Sequence, residues 1–337
     1  MKCKFCNNEM EKIGNKVQGY IEDTDFDVYQ CNECNLQQVK IENTYEELYK
    51  DIYEKIYKNS NILPGYSRYY KYSQEILQSK NPIEYLTNVE DVYNSVYNCI
   101  KEYKNKVQNP KILEIGSGLG YFTYGMKKAG FDIAGMEISN DAVKKAIKNY
   151  GNNYICADLF EYSQENKEKY DVVVMTEVIE HISEPEKFLK VIRTILKTGG
   201  ILIVTTPNKG AYPENFVWHS DLPPIHLWWF SRKSLKKLME ITGYRSIGFY
   251  DIFKLENADK VFYNPNEYGN NSEYIFKQSG EVNKNCLEDK NSLKYKIKSK
   301  IKNRELLHLI RRFYWLLSSK KKIESKEPNI ICAIFEK

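Results

Sequence analysis

The run Lys111-Ile112-Leu113-Glu114-Ile115-Gly116-Ser117-Gly118-Leu119-Gly120 carries the first chemistry. An apolar strand ends on an acid, breaks into three alternate glycines and leads into a helix predicted over Tyr121–Ala129. Such glycines let a ligand lie against bare backbone, and the helix that follows offers it unpaired N–H groups. A second acid, Glu137, ends the predicted strand Phe131–Met136, 21 residues after Gly116. A doubly wound sheet places its ribose-reading carboxylate there. Then come Cys156-Ala157-Asp158-Leu159, a strand at Tyr170–Met175, a turn at Leu196-Lys197-Thr198-Gly199-Gly200 and a strand at Ile201–Thr205.

The second constellation follows the fourth strand, in Thr176-Glu177-Val178-Ile179-Glu180-His181-Ile182-Ser183-Glu184-Pro185. If Glu177 begins a helical turn, Glu180 and His181 share its face. Two carboxylates and an imidazole converging in this way make a hard-metal site. His226, in Pro223-Pro224-Ile225-His226-Leu227-Trp228-Trp229-Phe230-Ser231-Arg232, adds an imidazole before a helix predicted over Lys233–Ile241. Three readings stay open: a divalent ion such as Mg or Mn on Glu177, Glu180, His181 and His226, a metal-free base at His181 or His226, and a structural role. His219 is a reserve base, and His308 lies in a basic segment.

The glycine turn with its downstream series resembles the class I S-adenosylmethionine-dependent methyltransferases, from Lys111 to Asp251. The spacing Gly-x-Gly-x-Gly and the Leu-Lys-Thr-Gly-Gly turn disfavour a dinucleotide-binding dehydrogenase domain. The resemblance implies an α/β fold: a doubly wound, mostly parallel, seven-stranded sheet whose last strand is antiparallel. It implies S-adenosyl-L-methionine as cofactor. Gly116, Ser117, Gly118 and Gly120 would follow its methionine portion, with Glu114 reaching the amino group through water. Glu137 would take the ribose hydroxyls, Ile138 would pack on the adenine, and Asp158 would accept from the adenine amino group beside Leu159. A helix cap is the alternative for Asp158. Glu-x-x-Glu-His with a later His is similar to the metal-dependent 2′-O-methyltransferases of small RNAs. Glu-x-x-Glu-His alone is similar to the O-methyltransferases of ubiquinone biosynthesis. Both act on one hydroxyl of a vicinal pair, which a metal can chelate and acidify.

Cys3-x2-Cys6 and Cys31-x2-Cys34 are two knuckles whose four thiolates close a tetrahedral structural zinc site. A module of about 40 residues has too little core to fold unaided, so the metal would supply folding free energy. Cys99, Cys156, Cys286 and Cys332 read as buried or incidental. Asp23, Asp25 and Asp27 make the ribbon hairpin acidic, which disfavours nucleic acid. Cys31-Asn-Glu-Cys-Asn-Leu-Gln-Gln-Val and Tyr45-Glu-Glu-Leu-Tyr resemble the ribbon that opens some sugar-modifying methyltransferases.

These parts set an organisation of four pieces: a ribbon at 1–43, helices at 44–107, the core at 108–258 with 328–337, and an insertion at 259–327. Within 44–107, Tyr45, Leu48, Ile52 and Ile56, then Val89, Val92, Tyr93, Val96 and Ile100, recur at helical spacing. These helices either lid the cofactor, with Tyr66, Arg68, Tyr69 and Tyr70 as a cluster, or merely cover the sheet. Arg245–Phe253 and Asn329–Lys337 are the last two predicted strands. Net charge is +5, but Leu293 to Lys322 holds eleven Lys/Arg and one Glu, hence +10 against −5 elsewhere. That amphipathic segment packs on the core, lies on an anionic membrane, or contacts nucleic acid. No apolar run reaches the roughly 18 residues of a membrane span. With no signal-peptide pattern the chain reads as cytoplasmic, with peripheral membrane contact as an alternative. The expected activity is O-methylation of a sugar or polyhydroxy small molecule, in glycan or secondary-metabolite biosynthesis. The acceptor would be a free or lipid-linked glycan or another small molecule. The alternatives are an RNA methyltransferase, disfavoured by the acidic ribbon and the lack of an Asn/Asp-Pro-Pro-Tyr motif, and a cofactor-binding regulator without catalysis.

Overall fold

The computed structural model describes residues 1–40, 45–63, 66–213, 222–250, 274–287 and 327–337. The basic segment Leu293–Lys322, His219, His308 and the end of the Arg245–Phe253 strand lie outside the described residues.

The chain opens with β1 (Met10–Gln18), β2 (Asp25–Cys31) and β3 (Gln37–Val39), followed by helices α1 (Tyr45–Lys58), α2 (Tyr66–Glu75), α3 (Pro82–Val89) and α4 (Asp91–Lys104). Strands and helices then alternate: β4 (Lys111–Ile115), α5 (Tyr121–Lys128), β5 (Asp132–Glu137), α6 (Asn140–Tyr150), β6 (Tyr154–Cys156), α7 (Leu159–Glu165), β7 (Tyr170–Thr176), α8 (Pro185–Ile195) and β8 (Leu196–Pro207). The described chain closes with β9 (Trp228–Trp229), α9 (Arg232–Ile241), β10 (Arg245–Phe249) and β11 (Ile330–Glu336).

Seven of these strands form one sheet in the order β10-β11-β8-β7-β4-β5-β6. β4, β5, β6, β7 and β8 pair in parallel, and β11 runs antiparallel to both neighbours. This is the doubly wound sheet with an antiparallel last strand that the sequence leads one to expect. Alternation along each strand feeds two cores: Leu113, Val173, Met175 and Leu202 pack under α8 and α9, while Ile112, Val172, Val174 and Ile203 pack under α4 and α5. One local expectation fails. Leu196–Gly200 is no free turn but the first part of β8, where a register shift opposite Tyr170 and Val172, with φ +74° at Gly199, bends the strand.

The order of strands reverses at β4, so the carboxyl ends of β4 and β7 lie side by side at a switch point, where this architecture opens a crevice. A second sheet, β1-β2-β3-β9, joins the ribbon to that end of the core. Gln37 pairs with Trp229 and Gln38 with Trp228. Phe5, Leu36, Trp228 and Phe230 are buried in the same cluster as the α8–α9 layer. Ser231 closes the joint: its hydroxyl donates to the Cys34 carbonyl at 2.6 Å and caps α9 by accepting from the Ser234 amide at 3.1 Å. Ser231→Ala loses a cap and a buried hydrogen bond together. It should lower unfolding free energy by about 1–3 kcal/mol in urea titrations; an unchanged midpoint would contradict the joint.

Candidate functional site

A cavity of about 1650 Å³ opens over the carboxyl ends of β4, β5 and β7, under α1 and α2. Its floor is the glycine turn. Gly116, Gly118 and Gly120 all have positive φ, and a Cβ on Gly116 would lie 2.5 Å from Val178 Cγ2, so this turn tolerates no side chain there. Glu137 pins the turn: one carboxylate oxygen accepts from the Gly118 amide at 3.0 Å and the other from Ser139 at 2.9 Å. Burial pushes the Glu137 carboxyl up, and those amides pull it back. Ser117 is buried, its side chain against Gly135. Glu114, wholly enclosed, accepts from the Thr123 hydroxyl.

Beyond Glu137 the cavity wall turns apolar. Ile138 is 58% exposed and Phe160 43% exposed, although both line the cavity, while Leu159 is buried beside them. Asp158 Oδ1 caps α7, accepting from Phe160 at 2.7 Å and Glu161 at 3.3 Å. Asp158 therefore acts as the helix cap, while also lining the cavity.

At the end of β7 the structure departs from the expected helical face. Glu177 sits at φ +54°, a strained value for its side chain, and the short 3-10 turn Ile179–His181 begins only after it. Each of the three side chains meets a partner from another part of the chain. Glu177 accepts from the Tyr69 hydroxyl at 2.9 Å, and Glu180 accepts from the Thr206 hydroxyl at 3.1 Å within the buried layer. His181 Nδ1 meets the Ile225 carbonyl at 2.7 Å, and its ring stands at 82° to His226 with centroids 4.5 Å apart. Among the described residues, only Cys3, Cys6, Cys31 and Cys34 bring three or more ligand atoms within 4.8 Å of one another. Glu177, Glu180, His181 and His226 therefore do not converge as a chelate, and the expected divalent ion finds no ligand set in this geometry.

A carbonyl can only accept, so His181 donates from Nδ1, and whenever the ring is neutral its lone pair lies on Nε2. Burial holds the His226 imidazole down to about 3, so it stays neutral beside His181. Both histidines line the cavity.

The roof is partly the expected lid cluster: Tyr66, Arg68 and Tyr69 on α2 line the cavity, and so do Tyr53 and Tyr57, one helical turn apart on α1, which the sequence reading missed. Arg68 lies 4.6 Å from the Tyr69 ring centre and donates to its hydroxyl. Tyr57 reaches across the glycine turn, its hydroxyl 3.2 Å from where a Gly118 Cβ would stand. The i,i+4 spacing of Tyr53 and Tyr57 was the available signal. Tyr70 is exposed instead.

In the ribbon, Cys3 and Cys34 Sγ are 3.7 Å apart, Cys6 and Cys31 3.4 Å, and Cys6 and Cys34 3.7 Å. Zn–S bonds of about 2.3 Å would set tetrahedral edges near ~3.8 Å, whereas a disulfide needs about 2.05 Å. The donor set fits a four-thiolate ion.

Burial pushes the Glu114 carboxyl up to about 8, against the Thr123 hydroxyl and amide, which favour the charged form. In an unfolded chain the group titrates near 4.5. Between these values the unfolded chain has lost a proton that the folded chain keeps, so stability falls as pH rises. Urea titrations across that window should show a downward slope that Glu114→Gln removes; parallel curves for the two proteins would contradict a protonated Glu114.

Residues 90–247 match a family model described as a methyltransferase domain. The human mitochondrial ubiquinone biosynthesis O-methyltransferase is 29% identical over 40% of this chain and 41% of its own length. The ubiquinone biosynthesis O-methyltransferase of Pelagibacter ubique is 30% identical over 33% of this chain and 50% of its own. The chain thus spans about half or less of these relatives. A SAM-dependent methyltransferase from Archaeoglobus fulgidus is similar over 72% of this chain and 93% of that one, at 18% identity and a TM-score of 0.40. With the strand order, the glycine turn and the acid at the end of β5, the family-model match identifies residues 90–247 as a methyltransferase domain of the class I S-adenosylmethionine-dependent kind.

Proposed function

We propose that this chain methylates a hydroxyl oxygen of a polyhydroxy small molecule, a sugar ring above all, with His181 as general base. The observation that carries this reading is the Ile225 carbonyl on His181 Nδ1, which in the neutral ring assigns the lone pair to Nε2, in a residue that lines the cavity. S-adenosylmethionine, when bound, supplies a methyl group already activated on a sulfonium. Gly116, Ser117, Gly118 and Gly120 would present bare backbone to its methionine portion, Glu137 would accept from its ribose, and Ile138, Asp158 and Leu159 would hold its adenine. The remaining task is to orient the acceptor and take its proton. His181 Nε2 would take that proton as the methyl carbon passes from the sulfonium sulfur to the acceptor oxygen and the thioether leaves, and neutral His226 would add no repulsion to the resulting imidazolium.

The cavity exceeds the roughly 300–1,000 Å³ of common ligand pockets, leaving room for an acceptor beside the cofactor. Tyrosines on its roof offer flat faces and hydroxyl groups, which suit a hydroxylated ring. The relatives' names specify O-methylation, which supports oxygen as the accepting atom. A place in glycan or secondary-metabolite biosynthesis fits such an acceptor. Cys3, Cys6, Cys31 and Cys34 would hold a structural zinc. No described helix is long and apolar enough to cross a membrane.

Glu137→Ala should weaken S-adenosylmethionine by about 1.5–3 kcal/mol, the scale for hydrogen bonds to a charged group; unchanged affinity in calorimetry would remove Glu137 from the site. His181→Ala should lower kcat by about 10²–10⁴ while cofactor affinity holds. Full turnover in His181→Ala, or a rate that depends on added magnesium or manganese, would overturn the base assignment.

A further inference from the structure

We infer that the cysteine ribbon is a positioning element for His181, acting through Trp228 and the edge of β3; this rests on the base assignment above. The link is a continuous run of hydrogen bonds. On the ribbon side, the Val39 amide donates to the Leu227 carbonyl at 3.0 Å, and Gln38 and Gln37 pair with Trp228 and Trp229. On the core side, the Leu227 amide donates to the Glu180 carbonyl at 2.9 Å, and the Trp228 indole N–H donates to the Ile182 carbonyl at 2.7 Å. Those two carbonyls flank His181, whose ring is in turn held by the Ile225 carbonyl. The segment Leu222–Phe230 therefore clamps His181 by its backbone on both sides and by its Nδ1.

A segment this short cannot hold its own shape; two strand residues make no sheet alone. The ribbon supplies what is missing. β3 pairs it along one edge, and Phe5 stacks on Phe230 and lies 5.5 Å from Trp228 between ring centres. At the hairpin tip the Tyr20 amide donates to the Pro223 carbonyl at 2.8 Å. The knuckle itself is tied in through Ser231 on the Cys34 carbonyl. Hydrogen-bonded contacts from three parts of the ribbon fall within ten residues of sequence, and that sequence carries the carbonyl that selects the tautomer of His181. A ribbon serving only to bind a partner would have no need of this joint.

Two variants break the joint from opposite sides. Trp228→Phe keeps an aromatic ring beside Phe5 and loses the indole donor to Ile182. Val39→Pro removes the amide that holds Leu227. In either, long-range proton–nitrogen NMR of the imidazole should show His181 leaving the single Nδ1–H tautomer, and kcat should fall about tenfold or more. S-adenosylmethionine affinity should stay within about twofold of wild type, which also reports that the core is folded. If His181→Ala loses activity but both joint variants keep the wild-type tautomer and kcat, the positioning role is wrong and the base assignment stands. If His181→Ala is fully active, the base assignment itself has failed. Should one variant not fold, the other decides.

Discussion

The whole site hangs on how closely three strand ends approach one another. Val178, just past β7, lies so near the first residue of the glycine turn that a single methyl group at Gly116 would collide with it. Glu137, at the end of β5, takes the Gly118 amide of the same turn. The floor of the cavity is thus a packed contact between β4, β5 and β7 rather than a flexible loop. It is preorganised for a ligand that needs bare backbone. The strain at Glu177 belongs to the same constraint: the chain must turn sharply off β7 to let Val178 reach the glycine.

Around that floor, the proposed acceptor side is assembled from parts distant in sequence. The ribbon, the helices before the sheet and the segment before α9 share one buried cluster that holds Val28, Ile52, Ile56, Ile225 and Trp229. Ile275 and Phe276, from the described part of the insertion, meet the ribbon hairpin at Tyr20. Four separate stretches of chain therefore wall a chamber whose proposed cofactor side comes almost wholly from one. A common cofactor with a variable acceptor would call for such a division: a local motif for the constant ligand, long-range assembly for the other.

The same division explains what could be read in the sequence. The strands and the glycine turn follow from local periodicity and from residues whose backbone needs are visible one at a time, and the order of the strands follows from the family resemblance those motifs carry. The knuckles are legible because two cysteines at fixed spacing have few other uses. The loop after β7 was misread because helical spacing was assumed from Glu177, and nothing local announces a left-handed glutamate. The partners that its side chains meet, Tyr69, Thr206 and Ile225, lie 108, 26 and 44 residues away. The Ile225 carbonyl leaves no trace in residue type at all, since any residue would supply it. The expected turn at Leu196–Gly200 failed for a milder reason: paired glycines can bend a strand without ending it.

The most direct test is a crystal structure with S-adenosylhomocysteine bound. The sulfur should lie over the glycine turn with its methyl-bearing side facing His181 Nε2, leaving room for one acceptor oxygen at about 3 Å from each reacting group. A sulfur turned away from His181, or a cofactor bound elsewhere than between Gly116–Gly120 and Glu137, would contradict the account.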